Sequence, residues 1–496
     1  MNENVLSSID LLSQKRIDEI RAAQDLLTSS QKIYYVSADG DDANDGLSAD
    51  RPWKTLQKVS SFDLGEGECV LFRRGDVFRG SVNTRQGVSY GAYGSGDKPR
   101  FYGWDYNLAD PALWEEVNAQ KHIWKLQKKI LDVGTLVFGD DELCSRKLIP
   151  SYINGKFVCR NDESQLFDMA KEMTEDLDLY WHYDERTTTT PSKGQSFPIP
   201  IVDENSLGEL YLRCDRGNPA LVYHSIEALT KRSMFKIGSN KNVRIDNLCI
   251  KYVGLHAICG GGHVVGLHVT NCEIGWIGGT IQHYSGNDPN YPEGNRGSVT
   301  RFGNAVEIYG GCEDYLVQGC YIYQIYDAGV THQITTKGNK YILRDIRYID
   351  NLIDRCVYAI EYFLDMTEGD TESLMSRILI KGNILRRSGY GWGQQRHNVS
   401  TPALIKGWSF VNNAEDFCVT ENIFDRSAYR LLHLVAQKQK SCPEMDANTY
   451  VQYSGGMLGQ YGANASGEPP ILTFDEQTYE LINEKLGDKK AKIYLV

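Results

Sequence analysis

The sequence predicts an all-β chain wound as a parallel β-helix (a solenoid), and two recurring columns carry that prediction. From about residue 240 one phrase repeats: apolar-x-apolar, Asn or Cys, apolar-x-apolar, a glycine-prone turn, then another strand. Its copies are VRIDNLCI (243–250), LHVTNCEI (267–274), YLVQGCYI (315–322), RYIDNLID (347–354), ILIKGNIL (378–385) and FCVTENIF (417–424). Aligned, they set Asn247, Cys272, Cys320, Asn351, Asn383 and Asn422 in one column, spaced by 25, 48, 31, 32 and 39 residues. One turn of a solenoid with its loops takes roughly that length, and the widest gap implies an insertion. A second column follows: HAICGGG (256–262), NAVEIYGG (304–311), AGVTHQIT (328–335), YAIEYFLD (358–365), PALIKGWS (402–409) and YRLLHLVA (429–436). The phrases alternate with period two, as half-buried strands do. An antiparallel sandwich has no need of an Asn/Cys column, whereas stacked turns let each Asn bond the rungs above and below.

The remaining segments fall around this repeat. Residues 1–32 space Leu and Ile helically and lack the apolar stretch of a signal peptide, so a short amphipathic α-helix is expected. Residues 33–104 begin the solenoid with YYVSADGDDANDGLSADRPWKTLQKV (34–59), GECVLFRRGDVFRGSV (67–82) and GDKPRFYG (96–103). These phrases resemble the opening of bacterial right-handed parallel β-helix proteins of the pectate-lyase-like superfamily. The resemblance spans 34–103 and about 240–435, and implies a capping helix that starts near Pro52. Residues 105–230 have another texture, with Trp104 at their edge and Trp114, Trp124 and Trp181 within, and are expected to form an inserted β-rich subdomain. The main β-helix occupies 231–440, and 441–496 caps its open end, which otherwise exposes an unpaired strand edge. In this architecture the chain is similar to β-helix glycoside hydrolases of the β-xylosidase type that carry an inserted β-rich domain.

Composition narrows the function. The 496 residues carry 53 Lys and Arg against 65 Asp and Glu, a net charge of -12, which disfavours nucleic acid and anionic membranes as partners. No run approaches ~18 apolar residues, so no span of a bilayer is expected. Twelve cysteines occur without a CxxC and mostly between apolar neighbours, reading as buried thiols in a reducing compartment. A cytoplasmic protein is the expectation, with homo-oligomerisation left open. No phosphate-binding loop, HExxH or GxSxG appears. GDDAND (40–45) reads as a hydrogen-bonded turn. No cofactor and no metal site are expected, a Ca2+ ion on carboxylates being the one ion left open.

The chemistry is expected on the outer face of the second column. Alternation places Val306, Val330, Ile360 and Leu404 inside, and turns Glu307, Thr331 and Glu361 outward on three successive rungs. Asp327 lies in the turn before the middle rung. Outward positions are polar by default, so such a ladder also describes a plain solvated surface. Apolar neighbours Ala359, Ile360, Tyr362 and Phe363 distinguish Glu361, because desolvation raises a carboxyl pKa. Glu361 is therefore the expected acid, Asp327 the base or nucleophile, and Glu307 the third carboxylate. Carboxyl groups ~5–5.5 Å apart suit a retaining glycosidase and ~6.5–9.5 Å an inverting one. Asp327 with Glu361 fits the first spacing, Glu307 with Glu361 the second.

Two interruptions, 282–302 and 390–401, are read as long loops over the same face. They bring His283, Tyr284, Tyr291, Arg296, Trp392, Gln395, Arg396 and His397 as candidate sugar-binding groups, joined by Tyr309, Thr331 and Gln333 on the strands. The alternative for Trp392 and Tyr284 is that they anchor their loops. His332 should point inward, and His332, His256 and His433 are read as buried, hydrogen-bonded histidines. The function expected is a glycoside hydrolase acting on a small oligosaccharide by paired carboxylates. The alternatives are a polysaccharide lyase acting on a uronate glycan, with Lys406, Arg396 or His397 as base, and a non-catalytic carbohydrate-binding β-helix.

Overall fold

The structure, a computed structural model, describes residues 2–25, 32–183, 188–189, 199–285, 296–396, 401–411, 413–464, 467, 469–474 and 483–496. It is a right-handed parallel β-helix with three faces. On the first face β1 (Ile258–Val265), β2 (Val306–Gln318), β3 (Ala328–Thr335), β4 (Tyr358–Asp365), β5 (Ala403–Val411) and β6 (Arg430–Ala436) pair in parallel, each with the next. The 13-residue β2 turns the corner and serves two faces, its second half pairing with Ile342–Ile349.

In-register stacking builds the core. Ile245, Val269, Val317, Tyr348, Ile380, Val419 and Met445 lie one above another on the second face. On the third, Phe101, Ile250, Ile274, Ile322, Ile353, Leu385, Phe424 and Tyr450 do the same. All fifteen are buried, and each aliphatic one contributes about 1.5–3 kcal/mol relative to exposure. The inward column on the first face is Val306, Val330, Ile360 and Ile405; Leu404 is buried at the corner one residue earlier.

The expected polar column is present with one member displaced. Asn351, Asn383 and Asn422 each offer Oδ1 to the main-chain N–H of the rung before, at 2.9–3.0 Å, with Asn448 continuing the series. The ladder ends on Asp488, which accepts from the Asn448 side chain at 3.0 Å. Above it Leu248, Cys272 and Cys320 hold the same register in apolar form. Asn247 belongs one position earlier, where the chain turns through a left-handed residue at Asn247, Asn271, Gly319, Asp350 and Gly382. Asn and Gly both tolerate that conformation, so a turn Asn imitates a ladder Asn in sequence.

The helix Asn2–Arg21 lies along the third face, with Val5, Leu6, Ile9 and Ile17 against Leu352, Ile384 and Val451. The capping helix is Leu56–Ser61, not one from Pro52, because Thr55 supplies the N-cap by accepting from Lys58 N. Its Leu56 and Val59 close one end of the core. Between the first rungs and the strand Ile226–Thr230 lies a separate β-rich unit with its own apolar core, including Trp114, Trp181 and Leu210. Segment 282–302 is no plain loop. Thr280–Ser285 and Arg296–Phe302 form an antiparallel hairpin that extends the inserted unit's Ser151–Ile153 strand. The hairpin returns to the solenoid at Gly303 (φ 149), where a Cβ would meet the Gly278 Cα at 1.9 Å. None of the twelve cysteines is in a disulfide, and nine of them are buried. No helix among the described residues is long and apolar enough to cross a membrane.

Candidate active site

Register fixes the ladder. Glu307 stands opposite Cys259 on one side and Thr331 on the other, and Thr331, Glu361, Lys406, His433 and Gln460 follow on successive rungs. Neighbouring strands are ~4.8 Å apart, so the Glu307 and Glu361 backbones lie ~10 Å apart with Thr331 between them. Asp327 enters from the turn before β3. Its carbonyl accepts from Val357 and Tyr358 N–H, both at 3.0 Å, and its own N–H donates to Gly303 at 3.2 Å. That clamp fixes the carboxylate beside the ladder.

Two of the three carboxyl groups are buried, Glu307 is partly so, and their surroundings differ. Glu361 is 6% exposed and Asp327 4%. Burial first, and then the nearby charge of Asp327, push Glu361 up to about 8, while the Trp408 hydrogen bond and Arg396 work against the rise. Burial also raises Asp327, and Arg396, hydrogen-bonded to its Oδ1, opposes that. For Glu307 burial is outweighed by His256, whose Nδ1 lies 2.5 Å from Oε2, with Asn304 and Gln333 adding hydrogen bonds; its pKa falls below the ordinary range. The same ion pair lifts His256 despite burial. One face thus holds a carboxyl group raised to about 8 beside two others that have basic partners, Asp327 with Arg396 and Glu307 with His256.

Arg396 is delivered by its loop. The segment 390–401 contains a 3-10 turn, Trp392–Gln395, capped by Arg396. Trp392 is buried, donates from Nε1 to Gln324 O at 2.7 Å and packs on Tyr326 and Trp276. Gln395 donates to Ser145 O of the inserted unit at 2.9 Å. Both anchor the loop, and Arg396 projects onto Asp327 with its guanidinium 5.4 Å from the Phe302 ring.

The expected site residues therefore divide. Glu307, Asp327, Thr331, Gln333, Glu361 and Arg396 converge. Tyr309, 41% exposed, borders them in register with Gln333, its ring 6.2 Å from Phe363. Tyr284 packs against Tyr152 and Phe157 of the inserted unit, and Arg296 pairs with Glu163 there. His283 is exposed on the hairpin opposite Thr300. His397 and Tyr291 lie outside the described residues. His332 does point inward, its Nδ1 2.9 Å from Tyr348 Oη, and burial holds it neutral at about 3. His433 Nδ1–H donates to Gly407 O at 2.7 Å. His256, read from sequence as a buried, hydrogen-bonded histidine, also borders the site: it precedes β1 opposite Asn304 in register, meets Asn304 N–H at 3.1 Å through Nδ1 and reaches Glu307.

Two groups went unnoticed in sequence. Trp408 donates from Nε1 to Glu361 Oε1 at 2.6 Å, and Tyr358 stands edge-on to it, 6.4 Å between centroids. The alternation that selected Glu361 also turns Lys406 and Trp408 outward in PALIKGWS. Gly407 between them faces inward, where any Cβ would meet the Tyr362 ring at 2.4 Å. Finally, Thr331 Oγ1 and Gln333 Oε1 are buried with no hydrogen-bond partner among the described residues. Buried polar atoms are normally paired, so these two mark a place for a ligand or water. No cluster of three His, Cys, Asp or Glu among the described residues is arranged to hold a metal.

No family model matches the chain. Over 82 residues, 14% of the chain, it is 42% identical to lacto-N-biosidase of Bifidobacterium longum subsp. longum. The match spans about 5% of the length of that curated relative. Among solved structures, GH136 lacto-N-biosidase from Eubacterium ramulus is 13% identical, with 94% of this chain and 68% of that one covered and a TM-score of 0.37. XylC in complex with xylose is 10% identical, with 94% and 83% covered and a TM-score of 0.40.

Proposed function

We propose that the protein is a glycoside hydrolase that cleaves a small oligosaccharide on the outer first face of its β-helix. The observation that carries this reading is the different surroundings of three adjacent carboxyl groups, Glu361 and Asp327 buried and Glu307 partly so. Glu361 keeps a proton near neutral pH, whereas Asp327 faces Arg396 and Glu307 faces His256. A glycosidase needs that division, one group giving a proton to the leaving oxygen while another, ionised, attacks the sugar or activates water. Glu361 is the acid in this account and Asp327 the nucleophile or base. Glu307 orients a substrate hydroxyl together with Gln333. The local identity to a lacto-N-biosidase accords with a glycosidic bond as target.

Lys406, buried and in register beside Glu361, favours a second reading as a uronate-cleaving lyase. Incubation with a panel of aryl glycosides and of uronate polysaccharides separates the two. Released phenol supports hydrolysis; ultraviolet absorbance of an unsaturated product supports the lyase. Neither signal across the panel would count against both.

A further inference from the structure

The geometry points to Trp408 as a positioning residue that decides which oxygen of Glu361 carries the catalytic proton. This rests on the reading of Glu361 as acid. An indole Nε1–H only donates, and it meets Glu361 Oε1 at 2.6 Å. Oε1 is therefore an acceptor in both protonation states, and since a carbonyl oxygen accepts better than a hydroxyl the bond favours the proton of the neutral acid on Oε2. When the glycosidic C–O bond breaks, the Oε2 proton passes to the leaving oxygen while Asp327, or a water that it activates, gives an electron pair to the anomeric carbon and bonds there. The bonding pair stays on that oxygen, and the new negative charge spreads over the carboxylate, where the indole N–H stabilises it. The indole is itself held in place: Lys406 Nζ lies 4.1 Å from its ring centroid and Tyr358 meets it edge-on.

The groups facing Glu361 from the elements around it are Asp327 before β3, Glu307 on β2, Tyr358 on its own strand, Lys406 on β5 and Arg396 from the 390s turn. Trp408 is the neutral donor that meets Oε1. Removing the indole N–H withdraws a hydrogen bond that favours the charged form, so the carboxyl group should lose its proton at higher pH.

The test compares the phenyl and 2,4-dinitrophenyl glycosides of whichever sugar the panel shows to be released. Trp408→Phe keeps an aromatic ring and loses the donor. Its basic limb of kcat/KM should move upward by about one pH unit, and turnover of the phenyl glycoside should fall about tenfold or more. The dinitrophenyl glycoside, whose leaving group needs no proton, should stay within about twofold. A folded Trp408→Phe with an unmoved limb and both substrates within twofold overturns the inference. If that variant does not fold, indole 15N–1H resonances of the wild type serve instead. One of the eight tryptophans should titrate with the midpoint of the basic limb and stop titrating in Glu361→Gln. No such resonance also overturns it. A Glu361→Gln variant that hydrolyses both glycosides normally would sink the underlying assignment rather than the role of Trp408.

Discussion

His256 Nδ1, which meets Asn304 N–H at 3.1 Å, lies 2.5 Å from Glu307 Oε2 across adjacent rungs, and this contact holds the Glu307 carboxyl below its ordinary range while burial raises Glu361, two rungs below. Both partners are mostly buried, at 15% and 13% side-chain exposure. Their pairing thus affects the fold as well as the site.

The stability supplied by this pair should depend on pH in a defined window. Glu307 has its folded pKa lowered, so its contribution is present above its unfolded value of about 4.3 and is lost as pH falls through the folded one. His256 has its folded pKa raised, so its share is complete below about 6.5 and is lost as pH rises through the folded value. His256→Ala should therefore destabilise most between about pH 5 and 6.5, by roughly 3–5 kcal/mol, because it strands a buried carboxylate. Urea melts across that range check this. An equal loss at pH 5.5 and pH 9 would contradict it.

The Asn ladder should be a principal determinant of stability. Asn383 Oδ1 accepts from both the main chain and the side chain of Asn351, at 3.0 and 2.9 Å. Asn383→Ala leaves two buried donors unpaired, at about 1–3 kcal/mol each. The urea midpoint should drop accordingly, with activity per folded molecule unchanged. A loss below about 0.5 kcal/mol, the scale of a neutral surface change, would show that the ladder is ornamental.

All twelve thiols should titrate with a disulfide-exchange reagent after unfolding without reductant, and few should react in the native state. Cys249, Cys312 and Cys356 are buried, and burial raises their thiols, which suppresses the reactive thiolate. Fewer than twelve free thiols in the unfolded protein would contradict an arrangement without disulfides.

The solenoid and the outward face of β2, β3 and β4 were legible because repetition and period-two alternation are local properties of the sequence. Glu307, Thr331 and Glu361 needed nothing more. Asn247 was placed one residue off because a left-handed turn Asn and a ladder Asn look alike. His256 reads from sequence as a buried, hydrogen-bonded histidine, but its place beside Glu307 does not, because it lies before its strand, where alternation has not begun. Trp392 packs on the solenoid's Trp276 and Tyr326, whereas Gln395 and Tyr284 face the inserted unit, and which of two surfaces a residue on a connecting segment faces is decided by tertiary contact. Arg396 was found among them, although its partner Asp327 could not be read from spacing.

The central claim is that Glu361 is a general acid poised near neutral pH. Its most direct test is the pH dependence of kcat/KM for the phenyl glycoside, in the wild type and in Glu361→Gln. The wild type should show a basic limb near the pKa of about 8. Glu361→Gln should lose that limb and retain about 1% or less of the wild-type rate. A folded Glu361→Gln with near-native turnover and an unchanged limb would place the chemistry on another face of the β-helix.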